Sequence, residues 1–193
     1  MKIGVISDTH GSTKWCRKAL DYLKDCDFIV HLGDVLYHGP RNPLPEGYNP
    51  AKLVELLNKI SGKKLKMVRG NCDADVDLMV LKHNLSLRFR TLKAGSLLLG
   101  LIHGDQFSSK AELLDFARKF KLNILLYGHT HKKLLEFREG VVLFNPGSLS
   151  LPKDGSKSLG VLEMEGRKAR VVLYDLEKEQ VILEEEYDFS PYL

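Results

Sequence analysis

Five short, mainly apolar runs in this sequence each end in polar residues that can bind a metal ion, and this recurrence constrains the fold more than any other feature. The runs lie at residues 2–7, 27–32, 65–69, 97–102 and 124–127. Each has the length of a buried strand. Because the carboxyl ends of strands in an α/β sheet open into one crevice, we expect the side chains that follow these runs to converge.

The side chains that follow the runs are carboxylates, imidazoles and one amide. They are Asp8, His10, Asp34, Asn71, His103, His129 and His131. Oxygen and imidazole nitrogen ligands suit divalent transition metals, which here means Mn²⁺, Zn²⁺, Fe²⁺, Co²⁺ or Ni²⁺. Seven protein ligands exceed what one catalytic ion needs. We therefore expect two ions that share Asp34 and leave positions open for water and substrate.

Each motif taken alone has an ordinary structural interpretation. An Asp after a strand often caps the next helix, and Gly-Asp and Gly-Asn pairs are common turn dipeptides. A single His103 could be a hydrogen-bonded core histidine. The occurrence of all five motifs in order, each at a strand end, favours a metal site instead.

Other histidines and cysteines are predicted to be structural. His31 lies inside a strand and is expected to pack in the core, whereas His83 lies in a polar stretch and is expected on the surface. The three cysteines form no Cys-x-x-Cys pair, which argues against a disulfide framework and a thiolate zinc site. Cys16 and Cys26 are predicted to be packing residues.

The remaining pattern predicts a mixed α/β sandwich in one domain, residues 1–193. Apolar spacing and caps predict helices at residues 12–24, 50–60 and 110–120. A hairpin is predicted around residues 93–96, with its first strand from residue 85 to 92. Further strands are predicted at residues 134–138, 141–145, 158–163, 169–174 and 181–187. Residues 35–50 are rich in Gly, Pro and Asn and form a long loop of the kind that is often functional.

Charge and composition narrow the function classes. Residues 1–150 hold 23 Lys and Arg against 15 Asp and Glu, whereas residues 151–193 hold 6 against 10. The positive excess accompanies the candidate ligands and favours a phosphate-bearing ligand, although the lysines themselves are typical of a solvated surface. No basic run with interleaved aromatics indicates a nucleic-acid groove. Since no apolar run suits a membrane span or a signal peptide, we expect a cytoplasmic protein without a membrane partner.

The ordered motifs Asp-x-His, Gly-Asp, Gly-Asn, His and Gly-His-x-His resemble those of the calcineurin-like metallophosphoesterases. The resemblance implies a four-layer αββα sandwich with two stacked mixed β-sheets. It implies one ion on Asp8, His10, Asp34 and His131, and a second on Asp34, Asn71, His103 and His129. The residues from Asp34 to Pro45, with Gly70–Asp73 and 145–148, are similar to the small prokaryotic YfcE-type phosphodiesterases. That group implies hydrolysis of small phosphodiesters, commonly with Mn²⁺.

We accordingly expect a metal-dependent phosphoric diester hydrolase, in which a hydroxide that bridges the two ions attacks phosphorus in line. Arg41 is a candidate phosphate clamp and His38 a candidate proton donor to the leaving oxygen, and each could equally be an ordinary loop residue. The wider family has His where Cys72 stands, so Cys72 is a candidate catalytic residue that would disfavour monoesters with poor leaving groups. We assign no role to Asp105, where many relatives have His.

Two other functions share this fold. One is a protein-interaction scaffold like the retromer-type subunit Vps29, which loss of ligand residues would mark, and all seven ligand positions are kept here. The other is a nuclease, for which the chain lacks an added DNA-binding module, so we do not expect a nucleic-acid partner. A homo-oligomer is an open alternative for a small chain with several apolar strands.

Overall fold

A computed structural model describes residues 1–192 and places two stacked β-sheets between layers of helices. The helices are α1 (Thr13–Tyr22), α2 (Pro50–Asn58), α3 (Asp75–Val80) and α4 (Lys110–Lys119), with a 3₁₀ helix at Ser190–Tyr192. The strands are β1 (Lys2–Ile6), β2 (Phe28–His31), β3 (Leu65–Met67), β4 (Phe89–Ala94), β5 (Leu97–Ile102), β6 (Ile124–Leu126), β7 (Lys133–Arg138), β8 (Val141–Pro146), β9 (Ser158–Glu165), β10 (Lys168–Asp175) and β11 (Gln180–Asp188).

Both sheets mix parallel and antiparallel strands. The first sheet has the order β11-β10-β9-β1-β2-β3, and the second has the order β4-β5-β6-β8-β7. Strands β1, β2 and β3 are parallel, as are β5, β6 and β8. The antiparallel strands are β9, β10 and β11 in the first sheet and β4 and β7 at the edges of the second. Hairpins join most of the antiparallel neighbours, whereas parallel neighbours require longer crossovers.

Three apolar clusters hold the layers together. Val5, Leu101 and Phe144 belong to the cluster between the two sheets. Helices α1 and α2 cover the outer face of the first sheet, with residues such as Ala19 and Leu57 in the contact. Helix α4 covers the outer face of the second sheet in the same way. This arrangement confirms the expected four-layer sandwich with two mixed sheets.

The three predicted helices are confirmed together with their starting points. Ser12, Asn49 and Ser109 cap α1, α2 and α4, and each side-chain oxygen accepts a hydrogen bond from the backbone N–H three residues later. The predicted hairpin is present as β4 and β5, which Gly95 and Ser96 connect. Within residues 1–192, no helix combines the length and apolar character that a bilayer crossing needs.

Between residues 75 and 92 two predictions are wrong, and one helix was not predicted. Residues 75–80 form α3, which is too short for its apolar spacing to stand out. The strand predicted from residue 85 begins only at Phe89, although Leu85 is buried beneath the helices. His83 is buried and not on the surface, because its Nε2 lies 2.8 Å from the carbonyl oxygen of Leu57. That contact depends on how distant segments pack, which local polarity does not reveal.

Candidate metal centre

The seven predicted ligands lie where the carboxyl ends of strands from both sheets meet. In the first sheet, β1 leads into Asp8 and His10, β2 into Asp34, and β3 into Asn71. In the second, β5 leads into His103, and β6 into His129 and His131. Because these strands are parallel within each sheet, their ends open to the same edge of the sandwich.

One group of ligand atoms is formed by Asp8, His10 and His131. The Nε2 atoms of His10 and His131 lie 3.1 Å apart. Asp8 Oδ1 lies 3.3 Å from the Nε2 of His131 and 3.8 Å from that of His10. All three residues are buried, so these polar atoms face one another away from solvent.

A second group contains Asn71, His103 and His129. The Nε2 of His103 lies 3.1 Å from Asn71 Oδ1, and the ring centroids of His103 and His129 are 5.2 Å apart. Asp34 Oδ1 lies 3.4 Å from His103 Nε2, while its Oδ2 lies 3.7 Å from His10 Nε2. The carboxylate of Asp34 therefore lies between the two groups.

Backbone carbonyl groups fix the orientation of three of the imidazoles. The Nδ1 atom of each ring lies 2.6 to 2.8 Å from a carbonyl oxygen: Tyr37 for His10, Leu32 for His103 and Leu151 for His131. Since a carbonyl oxygen only accepts, each Nδ1 carries a proton and donates it. The Nε2 of the neutral ring then presents its lone pair to the site, as a metal-binding histidine requires.

These atoms fit cations. Two neutral imidazoles with Nε2 atoms 3.1 Å apart, as in His10 and His131, direct lone pairs at each other unless a proton or a cation compensates them. Asp8 Oδ1 is buried, and no residue of the 1–192 range donates a hydrogen bond to it, which is rare for a buried carboxylate oxygen. Carboxylate, amide and imidazole donors together suit the divalent transition metals expected from the sequence.

In the ion-free site, protons compensate the two carboxylates. Burial disfavours a charged His103, but hydrogen bonding to Asp34 and attraction to Asp8 raise the pKa of His103 to about 9. Burial also opposes a charged His131, yet the carboxylate of Asp8 beside it raises that pKa. The pKa values of both carboxyl groups fall well below their usual range despite burial, because these imidazoles attract the ionised form.

Most of the candidate ligands adopt a strained backbone conformation. Within residues 1–192, eight non-glycine residues have φ in the left-handed region, and five of them are candidate ligands. These five are Asp8 at 54°, His10 at 44°, Asp34 at 57°, His129 at 64° and His131 at 58°. Such conformations cost about 1–3 kcal/mol each and persist only where the surrounding structure enforces them. Their concentration here is typical of a functional site.

Glycines allow the ligand loops to approach closely. A Cβ atom on Gly33 would lie 2.6 Å from the backbone nitrogen of Gly70. One on Gly70 would lie 2.2 Å from Asp34 Oδ1. Side chains at these positions would therefore force apart the loops that follow β2 and β3.

Asp73 connects those same loops, a role that the sequence did not indicate. Its Oδ1 accepts a hydrogen bond from the backbone N–H of Val35 at 2.7 Å. Its Oδ2 accepts from the backbone N–H groups of Asp34 at 2.9 Å and Gly70 at 2.8 Å. Burial raises the pKa of Asp73 to about 6. A short polar residue in a turn is the only local signal, and turns commonly contain one.

Three further residues support the ligand loops. The hydroxyl groups of Ser148 and Ser150 donate to the carbonyl oxygen of Asp8, at 2.8 and 3.0 Å. The side-chain amide of Asn145 donates to the carbonyl oxygen of Gly128 at 2.8 Å. The end of β8 and the segment that follows it therefore fix the backbone of the loops after β1 and β6.

His31 is buried, as predicted, and also connects the loops after β1 and β2. Thr9 Oγ1 donates to the carbonyl oxygen of Val35 at 2.9 Å, so it accepts from His31 Nε2, also at 2.9 Å. His31 Nδ1 accepts from the backbone N–H of Gly33 at 3.2 Å. These contacts require the neutral ring, and burial lowers the pKa of His31 to about 4.

A cleft of about 790 Å³ opens over the ligand groups. Its lining includes Asp34, Asn71, His129 and His131, together with Cys72, Arg41 and Lys153. A second groove of about 810 Å³ lies at the opposite end of β1, where its charged side chains pair with one another, as Lys2 and Arg170 do with Glu163. The first cleft is therefore the one that gives access to the candidate ligands.

The other candidate catalytic residues differ in their access to this cleft. Arg41 and Cys72 line it, whereas His38 does not. His38 packs edge-on against Tyr37 and Tyr48, with ring centroids at 4.8 and 5.4 Å. Burial and the nearby Asp34 raise the pKa of the Cys72 thiol to about 12 in the ion-free protein. Asp105 instead pairs with Arg88 at 2.9 Å.

The long loop at residues 35–50 is anchored to the start of α1. Ser12 Oγ donates to the carbonyl oxygen of Glu46 at 2.6 Å, and Trp15 Nε1 donates to Glu46 Oε2 at 3.0 Å. Thr13 Oγ1 donates to the carbonyl oxygen of Asn49 at 2.8 Å. With its far end fixed in this way, the loop presents residues 37 and 39–42 as one wall of the cleft.

Comparisons with known proteins agree with this geometry. Residues 1–167 match the model of the calcineurin-like phosphoesterase superfamily domain. Phosphodiesterase YfcE from Escherichia coli (strain K12) is 40% identical over 166 residues, which cover 84% of this chain and 88% of YfcE. The solved structure of YfcE, described as a phosphoesterase from E. coli, superposes with a TM-score of 0.82 at 36% identity and covers 96% of this chain and 98% of that one.

A vacuolar protein sorting subunit also shares the architecture. The structure of Vacuolar Protein Sorting 29 from Cryptosporidium parvum superposes with a TM-score of 0.73 and covers 97% of both chains. Its sequence is only 21% identical to this chain. At that identity the similarity shows a common fold and carries no argument about activity.

Proposed function

Because this chain belongs to the calcineurin-like phosphoesterase superfamily, we propose that it is a metal-dependent phosphodiesterase that acts on small phosphodiesters in the cleft above its ligand groups. The observation that carries this proposal is the carboxylate of Asp34, whose two oxygens face His10 and His103 of different groups. A shared carboxylate between two sets of donors is the arrangement that a dinuclear site needs. The similarity to phosphodiesterase YfcE supports the choice of substrate class.

We assign the ligands in two sets that share Asp34. One ion would be held by Asp8, His10, Asp34 and His131, and the second by Asp34, Asn71, His103 and His129. The distances among Asp8, His10 and His131 and among Asp34, Asn71 and His103 support this division. His129 is assigned to the second set because its ring centroid lies 5.2 Å from that of His103. When bound, the two ions supply an activated water as nucleophile and positive charge for the phosphate oxygens.

The chain's own residues orient the substrate. Arg41 lines the cleft, and no carboxylate of the described residues lies within 4.0 Å of its guanidinium, so it is free to bind phosphate oxygens. Cys72 offers a protonated thiol in the ion-free protein. His38 would have to reach the leaving oxygen from outside the cleft lining, so Arg41 is the better supported of the two loop residues.

The experiment that tests this function is hydrolysis of bis(p-nitrophenyl) phosphate by chelator-treated protein reloaded with single metals. We propose Mn²⁺ as the working ion and expect it to restore activity, while Mg²⁺ restores less because four of the ligands are imidazoles. Zn²⁺, Fe²⁺, Co²⁺ and Ni²⁺ serve as the comparison series. Full activity after chelation, without added metal, would overturn the proposal.

The same assay separates the two alternatives. A scaffold of the Vps29 type would bind metal without turnover, and a nuclease would prefer single- or double-stranded DNA over the aryl diester. We propose neither, because all seven candidate ligand positions carry ligating side chains and the sequence has no basic run with interleaved aromatics. We also propose self-association and a cytoplasmic location. The exposed edge strand β11 supports the first, and the free thiols of Cys16, Cys26 and Cys72 support the second.

A further inference from the structure

The backbone of Lys153 is tied directly to a candidate metal ligand. The Lys153 N–H donates to the carbonyl oxygen of His131 at 2.9 Å. Two residues earlier, the carbonyl oxygen of Leu151 accepts from His131 Nδ1 at 2.6 Å. Ser148 Oγ accepts from the Leu151 N–H at 2.9 Å. The Lys153 side chain is exposed, but the backbone that carries it is therefore held in place relative to His131.

Two lysines near Lys153 are paired with carboxylates, whereas Lys153, the only lysine in the lining of the cleft among the described residues, is not. Lys133 pairs with Asp154 at 2.6 Å, and Lys157 pairs with Glu177 at 2.7 Å. Within residues 1–192, no carboxylate lies within 4.0 Å of the Lys153 ammonium group. Lys153 is thus a cation on the rim of the cleft that is available to an anion from outside the protein.

The cleft has more room and more positive charge than a simple phosphodiester uses. Its volume of about 790 Å³ is within the range of pockets that hold whole small molecules, and far exceeds one phosphate group. A phosphodiester carries one negative charge, which the ligand groups with their ions and Arg41 are assigned to bind. Lys153 then has no partner in the substrate unless the substrate brings a second anionic group.

We propose that Lys153 binds a second phosphate group of the substrate, so that the preferred substrates are phosphodiesters or phosphoanhydrides that carry a further phosphate. This inference rests on the proposed function, since it assigns a substrate class to the same cleft. Lys153 acts here as a specificity residue, which distinguishes substrates by charge and takes no part in bond cleavage.

The test uses two substrates with the same scissile bond and leaving group. One is the p-nitrophenyl ester of thymidine 5′-phosphate, and the other is the same ester with an added 3′-phosphate. We expect the Mn²⁺-loaded protein to show a higher kcat/KM for the second. In Lys153→Gln the ratio of the two kcat/KM values should fall about tenfold, the value of one charge-assisted hydrogen bond at a solvent-exposed site. Lys153→Arg should keep the wild-type ratio. Added salt should reduce the wild-type ratio, because it screens the attraction between the ammonium group and the phosphate.

Lys132→Gln is the matched control, because Lys132 is exposed, lies beside His131 and does not line the cleft. Inhibition by inorganic pyrophosphate relative to inorganic phosphate provides a second measure, which should weaken in Lys153→Gln only. Equal ratios in the wild type, Lys153→Gln and Lys132→Gln, by both measures, would overturn the inference while leaving the proposed function intact. Failure of the loaded wild type to hydrolyse either ester would overturn the proposed function, and this inference with it.

Discussion

The carboxylate of Asp73 holds the backbone of Asp34, since its Oδ2 accepts a hydrogen bond from the Asp34 N–H at 2.9 Å. The same carboxylate binds the N–H groups of Val35 and Gly70, so one buried side chain joins the loops after β2 and β3. We predict that Asp73→Asn lowers the affinity for the metal ions by about 10- to 100-fold, because an amide offers a single acceptor oxygen in place of two. Calorimetric titration of the ion-free protein with Mn²⁺ measures this loss.

Asp75→Asn is the control for Asp73→Asn. Asp75 lies two residues away, its side chain is 88% exposed, and its contact is an ion pair with Arg69. We expect its substitution to leave the Mn²⁺ affinity near the wild-type value. Equal affinities in the two variants would show that Asp73 does not position the ligand loops.

The shared position of Asp34 leads to a second prediction. Asp34→Asn should weaken both ions together and reduce turnover of bis(p-nitrophenyl) phosphate on the order of 100-fold or more, since an anionic ligand to both is lost. The fold should survive, because Asn tolerates the left-handed conformation of residue 34. Metal content by elemental analysis and circular dichroism test the two parts. Two bound ions and full turnover would contradict the assignment of Asp34 as the shared ligand.

Cys72 supports a third prediction, about which esters are hydrolysed. It lines the cleft beside Asn71, whose Nδ2 donates to the Cys72 sulfur at 3.3 Å. A thiol is a poor proton donor to a leaving alkoxide, particularly if bound cations favour its ionised form. We therefore predict that Cys72→His raises the monoester-to-diester ratio of kcat/KM by on the order of tenfold or more.

The matched variant for Cys72→His is Cys72→Ser, which keeps a small polar side chain that also donates poorly. The Cys72 sulfur lies close to Gly39, since a Cβ atom on Gly39 would be only 3.2 Å from it. The larger imidazole of Cys72→His therefore has to extend into the cleft. If the ratio stays the same in all three proteins, specificity is set elsewhere, most directly by the wall at residues 37 and 39–42.

The neutral, buried ring of His31 leads to a fourth prediction, about stability and pH. Its folded-state pKa of about 4 is below the ordinary value of 6.5, so the unfolded chain takes up a proton first as the pH falls. The contribution of His31 to the free energy of unfolding is therefore complete above about pH 6.5 and is lost towards pH 4, by on the order of 3 kcal/mol.

His31→Gln removes this titration and keeps an amide that can donate to Thr9. Urea unfolding of both ion-free proteins at several pH values between 4 and 7 gives the comparison. The stability advantage of the wild type should shrink as the pH falls through this range. A constant difference between the two proteins would show that His31 is not the titrating group.

The candidate ligands could be predicted from the sequence because each follows a strand that is recognisable as an apolar run. Parallel strand order then brings Asp8 and Asp34 to one edge of the first sheet and His103 to one edge of the second, and the stacking of the two sheets brings these edges together. The hairpin around Gly95 was equally local, since turn residues separate two apolar runs. In each case the signal and the structure that it specifies lie within a few residues of each other.

The contacts that support the candidate ligand loops could not be predicted in this way. Asp73 binds backbone groups of another loop, His31 contacts the hydroxyl of Thr9 in another loop, and the burial of His83 depends on Leu57. Nothing in their local sequence distinguishes them from turn, core or surface residues. The anchoring of Glu46 to α1 likewise depends on packing between segments about 30 residues apart. Such roles follow from the assembled fold.

The left-handed conformation of five candidate ligand residues lowers the stability of the folded protein at this site. Glycine would adopt those torsion angles without strain, yet glycine has no side chain to offer a metal. Replacement of His129 by glycine should therefore relieve strain while it destroys a ligand. Stability and metal binding are therefore opposed at these candidate ligand positions.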